Sequence, residues 1–272
     1  MARKHKRKRK ASYRPPTQPK RATKKPSQAK QFPDPRLPTF RIEEIGGVRV
    51  KEDTFIFLVD RMRLSDGKVL AWHAPLMPAF YLLTAKWLLD AGEPERQQVL
   101  ASIVPAPERD EYADMNVSND SLAMDAIGKI ASAVILAAGA IEAYANEAVD
   151  RLASTETVEI ERRGNKLTVG QSEMVRRLSL EEKLDLVVPK VAGTGSIKGR
   201  EPWPRFKRLN ELRGEVVHVK ARGRTDDPDV PSAVGRLMLG EASSCVEDAV
   251  AVITAYEPTW LPEATRQALG LS

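Results

Sequence analysis

Apolar positions along this chain follow two regimes. From about residue 120 onward they recur at helical spacing, whereas before about residue 115 no single period persists. The longest periodic run is SLAMDAIGKIASAVILAAGAIEAYANEAVDRLAS, residues 121–154. It keeps a broad apolar face and is rich in alanine, so it predicts a long helix that a partner helix can approach closely. Asn119 or Asp120 supplies its cap. Next, VEIERRGNKLTV, residues 158–169, alternates on both sides of Arg-Gly-Asn, the pattern of a small β-hairpin. Residues 171–191 read as helix at least up to Pro189, and VAGTGSIKGREPWP as a loop. FKRLNELRGEVVHVK, about 204–221, is the third helix; TDDPDVP breaks the chain; residues 231–257 are the fourth.

The earlier part is less regular. VRVKEDTFIFLVD, residues 48–60, is rich in β-branched and aromatic residues and predicts one or two strands. PAFYLLTAKWLLDAG, residues 78–92, predicts a helix with Pro78 in its first turn and Gly92 at its C-terminal cap. A short helix then runs from Pro94 to about Val104, and residues 105–120 form a linker or loop. His73 falls beside Trp72 in a predicted turn, where its reading is structural.

The expected fold is therefore mainly α. It is an antiparallel four-helix bundle with a small β-hairpin insert, a less regular α+β N-terminal section and a disordered basic tail. The expected boundaries are 1–38 for the tail, 39–118 for the α+β section, 119–258 for the bundle and 259–272 for a C-terminal tail.

Charge changes this picture at one end. The net charge is +6, but residues 1–33 hold 13 of the 43 Lys and Arg residues and no Asp or Glu. The remaining 30 basic residues face 37 acidic ones, so residues 34–272 carry −7. The tail begins with a polycationic run, Arg3, Lys4, Lys6, Arg7, Lys8, Arg9 and Lys10. Such a run attracts nucleic-acid phosphates through counterion release; the alternative is a solubilising tail. Cys245 is the only cysteine, which removes an intrachain disulfide and a cysteine zinc site from consideration. No His, Asp or Glu cluster has ligand spacing, so neither a metal nor another cofactor is expected. The most apolar run, residues 130–145, contains Glu142 and is shorter than the ~18–20 residues of a membrane span. No secretion signal is apparent, and the expectation is a cytoplasmic protein that does not bind membranes.

The third helix carries the candidate chemistry. LNELRGEVVHVKARGR, residues 209–224, contains Arg213 and His218. On an ideal helix Leu209, Leu212, Val216 and Val219 form the apolar side, His218 points away from it, and Arg213 lies at its border. Five residues at 100° each place the two functional side chains roughly 140° apart. Closing that gap requires the long arginine to bend around the helix, or a second copy to supply the partner. In the competing reading this is a solvated helix face, with Arg213 paired to Glu211 or Glu215.

Arg213-Gly-Glu-Val-Val-His218 resembles the Arg-x4-6-His motif of HEPN domains (higher eukaryote and prokaryote nucleotide-binding). The flanking LNEL, the stretch AIEAYANEAV at 140–149 and the helix order over about 120–257 add to the resemblance. It departs at Gly214, where active members usually carry a polar residue, often Asn. Asn210 and Glu211 are nearby polar substitutes, while Glu142 and Asn146, one turn apart, are candidates to support Arg213 or His218. The resemblance implies a homodimer that cleaves RNA without metal, leaving 2′,3′-cyclic phosphate and 5′-OH ends, in a defence or toxin-like role with an antitoxin or other protein partner. A different class of reading is a catalytically inactive helical dimer serving as an interaction or nucleic-acid-binding module.

Overall fold

The helices of a computed structural model place the core along one long element. The structure describes residues 40–41, 44–45, 48–49, 55–56, 59–105, 113–114, 119–153, 157–162, 164–170, 174, 176–218 and 231–271. The predicted basic tail, including the run from Arg3 to Lys10, and the TDDPDVP break at 225–231, apart from Pro231, lie outside them.

Among the described residues the strands form five two-stranded antiparallel pairs. β1 (Phe40–Arg41) pairs with β4 (Phe55–Ile56), and between them in sequence β2 (Glu44–Ile45) pairs with β3 (Val48–Arg49). β5 (Val59–Arg63) pairs with β6 (Val69–His73) across a turn containing Gly67 at φ 84°. His73 thus lies in a strand opposite Val59, not in the predicted turn. β7 (Val104–Pro105) and β8 (Ala113–Asp114) form a further pair that starts at the end of the predicted short helix and lies otherwise in the predicted linker.

Helix α1 (Met77–Ala101) packs along α2 (Asp120–Ala153). α1 replaces the two helices expected between residues 78 and 104. Gly92 is not a cap: a Cβ there would lie 3.0 Å from Ile130 Cγ1 and 3.1 Å from Lys129 Cβ. The glycine is a close-approach position between two helices. Pro94 sits inside α1 on its exposed side, where the carbonyl it leaves unpaired, that of exposed Asp90, can meet water. Lys129 of α2 bonds Glu95 of α1, reinforcing the antiparallel pairing.

α2 is long and apolar enough to cross a membrane by length and composition, which corrects the expectation drawn from residues 130–145 alone. In the fold its Ile130, Val134, Ile141, Tyr144 and Ala148 are buried in the main core. α1, α5 (Pro202–Val217) and α7 (Cys245–Tyr256) pack against it.

The predicted hairpin forms as β9 (Val158–Arg162) and β10 (Asn165–Val169), in register Arg162–Asn165 to Val158–Val169. Gly164 takes φ 77° in its two-residue turn, which is the conformation that turn needs. Ile160 and Val169 cover a second, smaller cluster with Val149, Met174, Leu178 and Val187.

The segment 171–191 is not one helix. Ser179 starts α3 (Leu180–Glu182) with a capping box: its hydroxyl accepts from the Glu182 N–H, and the Glu182 carboxylate accepts from the Ser179 N–H. A π-helical turn, Lys183–Val187, follows, then α4 (Val188–Ala192), which ends at Gly193 with φ 65°. Pro189 leaves one carbonyl of this wide turn without a backbone partner. The Val188 N–H bonds back to the Lys183 carbonyl, five residues away, so the next carbonyl, Leu184, would need an N–H from residue 189. Proline has none. The Tyr256 hydroxyl fills the gap, donating to Leu184 O at 2.5 Å.

The predicted helix over 231–257 is also broken, into α6 (Ala233–Met238) and α7, with turns at 239–244. Gly240 is at φ 86°, and the guanidinium of Arg96 from α1 occupies the space beside it. Arg96 also donates to the Met238 carbonyl at 2.6 Å, terminating α6. α8 (Glu263–Ala268) lies in the segment expected to be a tail, and Leu261 and Leu269 at its two ends join the main core.

Candidate functional site

Helix α5 is positioned by its apolar side. Phe206, Leu209 and Leu212 are buried in the main core, and Val216 packs against it. Trp203 lies against Phe206 at 5.2 Å between ring centroids. One flank is tied to α7: Arg208 donates to Asp248 at 2.5 Å, and Ser244 bonds the same carboxylate. The adjacent Lys207 ties the same stretch of the helix to α3, bonding Glu181 at 2.5 Å.

α5 ends at Val217, four residues before the predicted end. His218 is its C-terminal cap residue, at φ −113° and ψ 58°. Its backbone N–H still closes the helical bond to the Gly214 carbonyl at 2.9 Å. The imidazole is therefore carried by the last hydrogen-bonded position, while the chain beyond it leaves the spiral. Val219, expected on the apolar stripe, lies outside the described residues.

Arg213 is half-buried and His218 is exposed. Among the described residues neither side chain makes a hydrogen bond or ion pair. Arg96, Arg151 and Arg208 differ: each holds a carboxylate. Five residues of helix separate the two candidate side chains by about 7.5 Å along the axis and by roughly 140° around it. A Cβ at Gly214 would meet nothing within 4 Å, so the surface one turn before His218 is open.

The pairing of Arg213 with Glu211 or Glu215 does not occur. Both carboxylates face Arg236 of α6: Glu215 accepts a hydrogen bond at 2.8 Å, and Glu211 is an ion-pair neighbour at 3.7 Å. Arg236 also bonds Glu241, in the turn after α6, at 2.8 Å. Donating to Glu241 is the largest influence raising the Arg236 pKa; burial opposes it, and donating to Glu215 adds to it. One guanidinium thus serves three carboxylates. Glu211, the mostly exposed member, lies at the edge of this cluster. Asn210 is half-buried, and its side chain makes no hydrogen bond among the described residues.

Glu142 and Asn146 serve another group. Asn146 Oδ1 accepts from the buried Lys183 of the π-helical turn at 2.8 Å. Burial lowers the Lys183 pKa, and the Glu142 charge partly offsets this. Neither residue makes a hydrogen bond or ion pair to Arg213 or His218, so the support expected from them is absent. The polar requirement they meet is the desolvated ammonium.

Also on α2, Tyr144 donates to Glu257 at 3.0 Å, and Arg151 grips the same carboxylate at 2.6 and 2.9 Å. Donation from Arg151 is the largest influence lowering the Glu257 pKa. Glu147 beside this cluster is displaced upward, chiefly by burial. Cys245 is buried and its thiol is pushed up to about 12, again chiefly by burial, which makes it a core residue rather than a nucleophile. Among the described residues no group of three or more His, Cys, Asp or Glu is placed to hold a metal ion.

Arg236 and Lys183 are the residues that sequence pattern did not single out. Arg236 reaches α5 across 21 positions of chain, and no local period marks that contact. Lys183 had one local signal, Pro189 six residues later in an otherwise helical run. Compared with known proteins, the chain matches no protein-family model, no curated protein and no solved structure.

Proposed function

We propose that the protein is a HEPN-type endoribonuclease in which Arg213 and His218 act on RNA without a metal ion. The observation carrying this reading is that both side chains are accessible and unpaired among the described residues, while the neighbouring carboxylates of the same helix are held by Arg236. Their hydrogen-bonding capacity is therefore available to a phosphate.

In this reading His218 removes the proton from a ribose 2′-OH. The 2′-oxygen attacks the adjacent phosphorus, the bond to the 5′-oxygen breaks, and a 2′,3′-cyclic phosphate forms. Arg213 donates to the non-bridging oxygens, where negative charge accumulates in the transition state. The departing 5′-oxygen needs a proton, and His218 of a second copy can supply it. A homodimer thus answers both the need for an acid and the angular gap between the two side chains. The basic tail would concentrate RNA near an otherwise acidic chain. A cytoplasmic location and a defence or toxin-like role with a protein antitoxin suit this activity.

A second reading follows from the charge of −7 over residues 34–272 and from glycine at position 214. It is a non-catalytic helical dimer in which the tail alone binds nucleic acid. The two readings separate when the full chain is incubated with RNA in EDTA beside Arg213→Ala and His218→Ala. Catalysis requires cyclic-phosphate and 5′-OH products from the parent chain. It also requires a loss of about 10²–10⁴-fold for the histidine variant and about 10²–10³-fold for the arginine variant. No cleavage, or equal cleavage by all three, rejects the ribonuclease and leaves the binding module.

A further inference from the structure

The cluster around Arg236 has geometry that bears on His218. Glu215 lies three residues before His218, and the His218 N–H still bonds to Gly214 as part of the helix. Side chains at this spacing are neighbours on a helix surface, about 5–6 Å apart at Cβ, and a carboxylate so placed is the natural ion partner of an imidazolium. Glu215 does not take that role. Its carboxylate accepts from Arg236 at 2.8 Å instead, and Arg236 is fixed by Glu241 on its other edge. The Arg236 side chain is only 16% exposed, so this is a built contact and not a passing surface pair.

We infer that Arg236 is a positioning residue that keeps Glu215 away from His218 and so leaves the imidazole free to exchange its proton. This rests on the reading of His218 as the base. A base paired to a carboxylate holds its proton more tightly and is protonated over a wider range of pH. Three carboxylates, Glu211, Glu215 and Glu241, surround one guanidinium, so removing that guanidinium leaves three uncompensated negative charges. The nearest released carboxylate in sequence is Glu215. Among the described residues, several charged groups on the other elements packed against α5 have partners of their own. On α7, Asp248 holds Arg208; on α2, Asn146 and Glu142 face Lys183, and Arg151 holds Glu257. The incoming phosphate gains as well, because a carboxylate held sideways by Arg236 repels it less than a free one.

The test follows the His218 imidazole by NMR during a pH titration of the full chain. The chain holds three histidines, and His218→Gln assigns the signal. In Arg236→Gln the midpoint should rise by roughly 0.15–0.4 pH unit, the size expected of a helix-surface ion pair. In Arg236→Gln with Glu215→Gln it should return to the parent value. Glu215→Gln alone should leave the midpoint within about 0.1 unit of the parent, since Arg236 already holds that carboxylate. This last variant keeps the inference falsifiable if Arg236→Gln does not fold. A midpoint that does not rise in Arg236→Gln overturns the inference, as does a rise that persists in the double variant. So does a clear fall in Glu215→Gln alone. The titration uses no RNA, so a chain that shows the expected pattern yet cleaves nothing refutes the ribonuclease and retains the role of Arg236.

Discussion

The joint between α5 and α7 should be the most sensitive polar contact under the candidate site. Asp248 is nearly enclosed, with 4% of its side chain exposed, whereas Arg208 is 49% exposed. Arg208→Met removes a charge-assisted hydrogen bond and leaves the carboxylate with the Ser244 hydroxyl at 3.2 Å. Hydrogen bonds to charged groups contribute about 1.5–3 kcal/mol, and breaking a fully buried pair costs about 3–5 kcal/mol. Arg208 is half in water, so screening favours the lower end, about 1.5–2 kcal/mol. Asp248→Asn should cost less, about 0.5–1 kcal/mol, because the exposed arginine recovers its hydration and Ser244 retains a partner. The double variant should fall short of the sum by about 1 kcal/mol, the signature of two groups in contact. Urea unfolding reports these values through Trp203, which packs on Phe206 of the same helix. For a chain of this size each kcal/mol corresponds to about 2–4 °C in Tm. Strict additivity, or an Arg208→Met cost below about 0.5 kcal/mol, would refute the assignment of this pair as the α5–α7 anchor.

Two further outcomes test the packing around α2. Gly92→Leu should lower stability by about 1–3 kcal/mol in a thermal melt, since its Cβ meets Ile130 and Lys129, whereas Gly128→Ala, which meets nothing within 4 Å, should raise it by up to about 1 kcal/mol. Glu147→Gln should raise Tm at pH 7. Burial lifts the folded-state pKa of Glu147 above the unfolded value, so ionisation opposes folding, and the difference should fade as pH falls below that folded pKa and the native carboxyl becomes neutral.

The elements most legible in the sequence were those governed by one local period. α2 follows a helical stripe over 34 residues, and the β9–β10 hairpin follows alternation around a glycine turn. Errors arose where a distant side chain decided the local structure. Gly92 has the appearance of a cap, but Ile130 on the facing helix explains it. Gly240 sits in a run with helical periodicity, yet the break there is shaped by Arg96, which is 142 positions from the carbonyl it caps. At the π-helical turn Pro189, which is visible, leaves the Leu184 carbonyl unmatched, and the Tyr256 hydroxyl that meets it comes from 72 positions away. The same division holds at the candidate site. Arg213 and His218 are recognisable as a local motif. The commitments of Glu142, Asn146, Glu211 and Glu215 were not, because each depends on a lysine or arginine from another element.

These distant contacts form a chain of support that reaches the motif helix. Arg96 on α1 donates to the Met238 carbonyl and so sets where α6 ends. The turn that begins there returns Glu241 to Arg236, bonding its Nε at 2.8 Å. With one edge of its guanidinium held, Arg236 presents the other edge to Glu215. A planar guanidinium can hold carboxylates on two edges at once, a task for which lysine's single ammonium is poorly shaped. Arg213 has no such partner among the described residues, although it lies two positions from Glu211 and Glu215 on the same helix. Around a helix two positions is roughly 160° of rotation, so the clamp faces one side and Arg213 the other. Proximity in sequence to two carboxylates therefore does not neutralise Arg213, and the helix geometry that separates it from His218 also keeps it clear of their neighbours.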